Sequence, residues 1–410
     1  MIRNDDFEMT DSNKHTPSLR FPEFLNDGEW SAILLKDAIN KVTPPKKLPS
    51  SEYKTDGQFP VIDQSTNIIA GYSDDYSALM NTQYEDYIVF GDHTCTLKLV
   101  NHPFIQGADG IKIFRSKLDD LDTQYLYYYL LAHPILSKEY KRHFADLAEK
   151  IILFPKNLKE QIRIAKCFSS IDKQITATRS KLEQLKEHKR GLMQRLFPAK
   201  GKTVPELRFP EFLNDGEWEM ATMESIFEIK NGYTPSKSNP DYWEGGTIPW
   251  FRMEDIRKSG HILSDSIQHI TPSAVKSAGL FPAYSIIVAT TATIGEHALI
   301  IVDSLANQRF TFLTKRKSFD NRIDMVYFHY FMFIIDEWCK QNTNAGGLLS
   351  VNMEAFRKLV IPYPASLSEQ HKIAECFSSI DKQIAATKRI FEQLKEHQKG
   401  LMQRLFPIVK

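Results

Sequence analysis

The sequence predicts an α+β protein: two mixed α/β domains joined by two long helices packed as an antiparallel coiled coil, the whole forming a pseudo-two-fold tandem repeat. Three observations predict this. The stretch LRFPEFLNDGEW occupies residues 19–30 and recurs, letter for letter, at residues 207–218. A 35-residue block, IAKCFSSIDKQITATRSKLEQLKEHKRGLMQRLFP at 164–198, returns at 373–407 with 27 positions identical. The segments between these flanks share no comparable identity, yet they order their features alike. With domains of roughly 100–200 residues as a guide, the 410 residues divide into a polar tail (1–18), a first domain (19–157), a long helix (158–198), a linker (199–206), a second domain (207–366) and a second long helix (367–407).

The long block is read as helix because its apolar residues step by four and three. In the first copy these are Ile164, Phe168, Ile171, Ile175, Leu182, Leu185, Leu192 and Leu196, with Thr178 and Lys189 at polar seam positions. The second copy has Ile373, Phe377, Ile380, Ile384, Phe391, Leu394, Leu401 and Leu405, with Thr387 and Gln398. That is a heptad seam of more than four repeats. Pro198 and Pro407 stop it,. About 37 residues span about 55 Å at 1.5 Å per residue. An apolar stripe needs a partner, and the other copy in the same chain is the nearest. Termini of a domain often lie close together, so the second helix is expected to run back along the first. An intermolecular pairing of the same stripes is the rival.

In the first domain QFPVIDQ, EDYIVFG and DGIKIFR read as strands and DTQYLYYYLLAHP as a helix with an aromatic face,. In the second, GTIPWFRMEDI, YSIIVATTATIG, EHALIIVD and RFTFLTKR read as strands or strand–turn pieces, and IDMVYFHYFMFIIDEWCKQ as a helix. Both domains end in a strand and a proline, so they are expected to share a fold. Their loops are rich in small polar and basic residues. Asn and Gln can read adenine edges; Arg and Lys can read guanine or hold phosphate. The candidate DNA-contacting residues are therefore Lys46, Lys47, Gln64, Ser65, Thr66, Asn67, His93, Thr94 and Lys98 in the first domain. In the second they are Tyr233, Thr234, Ser236, Lys237, Arg252, Thr290, Thr291, Thr293, Asn307, Gln308 and Arg309. For any one of them, a merely solvated loop residue is the plainer reading; the loops as a set carry the expectation.

Composition excludes little. The formal net charge is +1, so a DNA partner would need a local basic surface. Cys95, Cys167, Cys339 and Cys376 are scattered without a CxxC pair, as in reduced cytosolic proteins,. The polar start is not a signal peptide, and the patch at residues 326–335 is about half a membrane span. A cytoplasmic protein is expected. SNPDYW (238–243) is read as a turn before an aromatic anchor, and His93 with Cys95 as a strand edge, not a metal or nucleophile site. No phosphate loop, HExxH or GxSxG occurs,. No catalytic residue, no metal ligand and no cofactor are assigned to this chain.

Taken together, PELRFPEF at a domain start, NGYTPSKSNPDYWEGGTIPW, the helix entry EQxxIAxxF (160–168, and EQHKIAECF in the second copy) and the ending LEQLKEHKRGLMQRLFP resemble the specificity (S) subunit of type I restriction–modification enzymes. The resemblance covers the chain from about residue 18 onward. It implies two target recognition domains, each reading half of a split double-stranded DNA sequence. It implies helices that act as a ruler and dock two methyltransferase (modification) subunits, which carry S-adenosylmethionine and methylate adenine N6. Two restriction subunits using ATP and Mg could join them. The chain itself would be non-catalytic and soluble, with no membrane partner. Two like docking surfaces and two unlike half-sites would explain why flanks repeat and middles differ. The aromatics and prolines of LRFPEF, with Trp30 and Trp218, are expected to anchor each domain on a helix end. Rival readings are a coiled-coil protein–protein adaptor with two binding heads and, less favoured, a stand-alone DNA-modifying enzyme.

Overall fold

The computed structural model describes residues 16–83, 85–108, 110–135, 142–277, 279–344 and 349–407. Most of the expected tail therefore lies outside the described residues. The chain divides into two compact units, Met1–Ser180 with Lys388–Lys410, and Lys181–Thr387. The division cuts through both long helices, Leu158–Leu196 and Leu367–Leu405, where the sequence had suggested boundaries at their ends. Each unit thus owns the first part of one helix or the last part of it, together with a complementary part of the other.

In the first unit, Ser31–Leu34 pairs antiparallel with Ile151–Phe154, tying the entry of the α/β domain to its exit. A four-stranded antiparallel sheet follows in the order Ile39–Val42, Ile111–Ser116, Tyr87–Gly91, Leu97–Val100. A second sheet contains Gly71–Ser73, Phe59–Ile62, Phe104–Gln106 and Leu79–Met80, with Phe59–Ile62 and Phe104–Gln106 parallel. The second unit repeats the plan. Glu219–Thr222 pairs with Val360–Tyr363. The order Phe227–Asn231, Phe310–Lys315, Ser285–Ala289, His297–Ile300 matches the first sheet, extended by Ile262–Leu263. Ile248–Phe251 lies parallel to Leu305–Ala306, as Phe59–Ile62 does to Phe104–Gln106. The two dissimilar middles therefore share a fold. One sequence expectation is corrected: GTIPWFRMEDI is strand only over Ile248–Phe251, and Met253–Ser259 is helix. Asp255 turns the chain, its carboxylate accepting the Arg252 and Ile267 N–H groups at 2.6 Å each.

Within each unit the helix segments run antiparallel. In the first, Phe168 stacks on Phe406 at 5.5 Å and Asp172 accepts from Gln398. In the second, Phe197 stacks on Phe377 at 5.7 Å and Lys189 bonds Asp381 at 2.6 Å. In both, the residue number rises on one helix as it falls on the other. The polar seam positions Lys189 and Gln398 each meet an aspartate. Ile164, Phe168, Ile171, Leu182, Leu196, Ile373, Phe377, Ile380 and Leu405 are buried. Ile175, Leu185, Leu192, Ile384, Phe391, Leu394 and Leu401 are half-buried, as a two-helix seam covers each side chain from one side. The aromatic helices Thr123–Ala132 and Met325–Gln341 pack on these segments, through Tyr128 on Phe168 and Tyr330 on Phe377.

The repeated flank has a sharper role than aromatic anchoring. Arg20 forks onto Glu160 with two 2.7 Å bonds, and Arg208 does the same onto Glu369. Both pairs are almost fully buried. Each guanidinium also donates to the carbonyl of Gly28 or Gly216, glycines whose φ of 77° and 74° side chains rarely adopt,. The neighbouring glutamines, Gln161 and Gln370, accept the N–H of Asp122 and Asp324, the N-caps of the two aromatic helices. Their amide nitrogens donate to Pro155 and Pro364 carbonyls. Trp30 and Trp218 are buried, and Trp218 Nε1 donates to Glu369 at 3.3 Å. Replacing Glu160 with Ala is expected to strand a buried guanidinium and cost the first unit about 3–5 kcal/mol. Urea unfolding checks this. An Arg20→Met, Glu160→Met double variant should recover much of the loss.

The second unit also buries two histidines, His297 and His329, with ring centroids 5.3 Å apart and His261 and Phe333 alongside. Burial holds His297 neutral and lowers its pKa to about 3, with the nearby His261 adding to the effect; burial lowers His329 as well. The native state therefore refuses protons that the unfolded chain accepts below about pH 6.5. Their stabilisation is full above that pH and falls away as pH drops toward 3, by up to about 1.4 kcal/mol per unit per histidine. Between pH 6.5 and 5, melting of a His297→Phe variant should decline less steeply than that of the wild type.

Candidate nucleic-acid interface

In the second unit the loops between strands converge on one cleft of about 300 Å³. Eight residues singled out from the sequence line it: Thr234, Lys237, Arg252, Thr291, Thr293, Asn307, Gln308 and Arg309. Four sequence-distant segments are brought together by the sheet. Gly232 makes this possible, since a Cβ there would stand 2.2 Å from the Ala306 carbonyl. Its N–H donates to Phe310, so the two loops flanking this contact meet: the Thr234 hydroxyl donates to Gln308 Oε1 at 2.5 Å. Trp250 forms part of the wall, its indole N–H on the Tyr233 carbonyl and its ring 5.9 Å from the Arg252 guanidinium. Arg252 Nε is buried with no hydrogen-bond partner, and the nearest carboxylate oxygen, on Glu254, is 3.9 Å away.

The lining carries four cations, Lys237, Arg252, Arg257 and Arg309, against one acid, Glu254. A chain of net charge +1 thus concentrates positive charge here, as binding a polyanion requires. Arg257, Trp250 and Ala292 escaped the sequence reading. Arg257 did so because it lies one residue past GTIPWFRMEDI, read as a strand or strand–turn piece; the helix Met253–Ser259 brings it to the cleft with Arg252. Ala292 has φ of 64°, a strained value for an alanine in the turn between Thr291 and Thr293,.

Three candidates stand outside the cleft lining. Thr290 is a correction: it is buried, its N–H and hydroxyl facing Arg309 and Thr311, and its carbonyl accepting from Val351. It holds the loop and is closed to a ligand. The Tyr233 hydroxyl is engaged by the Lys276 N–H and the Ala274 carbonyl. The Ser236 and Ser238 hydroxyls bond each other at 2.8 Å. SNPDYW is a turn capped by Asn239, and Trp243 meets Trp250 edge-on at 5.0 Å.

The first unit brings two of its three loops together. Thr94 and Thr96 donate to the Gln64 carbonyl at 2.7 and 3.0 Å. Ser65 N–H donates to Asp63. Lys98 is the second correction: it is buried, its ammonium on the Asp63 carbonyl at 2.8 Å, and desolvation lowers its pKa. It braces the loop from within. Thr66, Asn67 and Thr94 are exposed, and His93 is half-buried. His93 and Cys95 lie in the hairpin turn between Tyr87–Gly91 and Leu97–Val100, not on a strand edge; Cys95 has φ of 56°. Lys46 and Lys47 are exposed. Lys46 is held by Asp75 at 2.8 Å, which keeps that carboxyl at about 2. Among the described residues no group of His, Cys, Asp and Glu is arranged to hold a metal, and no helix is long and apolar enough to cross a membrane.

Unlike loops on a repeated scaffold, one set lining a cationic cleft, define a tandem binding protein. Comparison with known proteins gives the family. Residues 28–187 and 215–396 each match the type I restriction modification DNA specificity domain. The Escherichia coli EcoprrI type I restriction enzyme specificity subunit is 45% identical over 172 residues, 42% of this chain and 43% of that protein. The Escherichia coli EcoR124I/EcoR124II specificity subunit is 25% identical over 386 residues, 88% of this chain and 90% of that one. The chain therefore spans under half the length of the first relative and nine-tenths of the second. A crystal structure of a type I restriction–modification S subunit from M. genitalium shares the fold, with TM-score 0.65 over 96% of this chain and 100% of that one at 16% identity. This chain belongs to the family of type I restriction–modification DNA specificity subunits.

Proposed function

We propose that the chain selects a bipartite DNA target for a type I restriction–modification complex. Each α/β domain reads one half of the target through its inter-strand loops. The two long helices form one antiparallel coiled coil that sets the gap between the halves. Each helix has 39 residues, about 58 Å at 1.5 Å per residue. The repeated helix surfaces dock two adenine-N6 methyltransferase subunits, and through them restriction subunits where these are present. In this reading S-adenosylmethionine belongs to the modification subunits, ATP and Mg to the restriction subunits, and this chain provides recognition without catalysis. Its DNA partner makes it cytoplasmic.

The observation that carries the reading is that the DNA specificity domain matches twice, once on each of two unlike middles. The cationic cleft of the second unit supports it, since phosphate contacts supply affinity and base contacts supply sequence.

Methylome sequencing tests it, in a host expressing this chain with its modification subunit and in a deletion of this chain. Adenine methylation at one split motif is expected to vanish in the deletion. Exchange of residues 207–366 for another recognition domain is expected to change one half of the motif and leave the other. Unchanged methylation in a strain producing both proteins would sink the reading. Failure of the two proteins to copurify would favour an adaptor instead.

A further inference from the structure

The cleft in the second unit has a feature that polar composition does not reveal. Asn307 and Gln308 each carry one acceptor and two donor hydrogens, the pattern that pairs with adenine. In the structure both acceptors are already engaged. Asn307 Oδ1 accepts the Arg309 N–H at 2.9 Å, and Gln308 Oε1 accepts the Thr234 hydroxyl. The amide nitrogens of both residues have no partner among the described residues, and neither has the Arg309 guanidinium. The Arg309 N–H can only donate, so it fixes the Asn307 amide with its oxygen toward the backbone; Gln308 likewise turns its oxygen to Thr234. The groups of this loop left without a partner, two amide nitrogens and a guanidinium, are therefore all N–H donors,.

With its amide oxygens already bonded, such an edge is poorly matched to adenine, which offers N7 as acceptor but N6 as donor. It matches guanine, whose N7 and O6 are both acceptors in the major groove. Phosphate oxygens also accept, from side-chain amides as from cations, but a phosphate contact is indifferent to sequence. The cations for the backbone are already present in Lys237 and Arg257.

Resting on the reading of this unit as a DNA half-site reader, we propose that Asn307, Gln308 and Arg309 form a guanine-selective element. The half-site assigned to the second domain then contains a guanine whose O6/N7 edge faces this loop. The sequence-level expectation that these amides read adenine is replaced by its opposite in hydrogen-bond polarity.

The test uses the chain copurified with its modification subunit and duplexes carrying its methylome-derived motif. Each guanine of the half-site that moves on exchange of residues 207–366 is replaced in turn by 7-deazaguanine, which removes the N7 acceptor. One position is expected to lose at least about 5-fold in affinity, the lower end of what a good bidentate contact discriminates. Asn307→Asp keeps the acceptor for the Arg309 N–H and exchanges the outward donor for an acceptor. It should melt like the wild type and lose affinity for that guanine selectively. The inference is overturned if the half-site has no guanine on either strand, or if every 7-deazaguanine duplex binds as the parent does. It is equally overturned if Asn307→Asp weakens all sequences alike, the signature of a phosphate contact. If the domain exchange moves neither half of the motif, it is the half-site reading itself that has failed.

Discussion

Each unit depends on one Glu–Gln step at the start of a long helix. Glu160 and Glu369 are buried carboxylates, and a buried charge is tolerated only when paired and hydrogen-bonded. The pairing arginine comes from the flank at the start of the domain, 140 and 161 positions before the glutamate respectively. The adjacent Gln161 and Gln370 bind the exit proline carbonyl and the first N–H of the aromatic helix. One dipeptide thus fixes where the domain begins, where it ends and where its main helix starts. Such a joint fails if any partner is missing. That gives a physical reason why the same residues stand at both ends of the repeat, while the loops between them are free to differ.

With entry and exit clamped, the sheets carry the variation outward. The strand order is common to both units, so the loops emerge at equivalent edges whatever their sequences. In the second unit this gathers residues from 234 to 309 around one cleft. Its chemistry is directional. Buried members such as Thr290 and Lys98's counterpart role in the first unit brace the loops from inside, and exposed members face outward. Polar residues of one type therefore divide into buried supports and residues left open to solvent.

That division explains what could be read from the sequence. The heptad seams were legible because their rule is local: Phe168, Phe377 and their neighbours recur at fixed steps. The strands at Tyr87–Gly91 and Phe310–Lys315 were legible by composition. The Arg20–Glu160 pair was not, since nothing local links residues 140 apart, although the survival of both in each copy was the available signal. Lys98 and Thr290 looked like contacts because a buried lysine or threonine is spelled as an exposed one is. Arg257 was hidden by a helix that begins where a strand was expected to continue.

The division of the chain into units also has a temporal side. The second unit is one continuous run of sequence, Lys181–Thr387, and can close as soon as that run leaves the ribosome. The first is not: Phe406 packs on Tyr125, Tyr129 and Phe168 in its core. At roughly 5–20 residues per second, some ten to forty-five seconds of synthesis separate Ser180 from Phe406. During synthesis, the part of Thr123–Ala132 that Phe406 covers stays open until residue 406 is made, so the later-made unit can close before the earlier one.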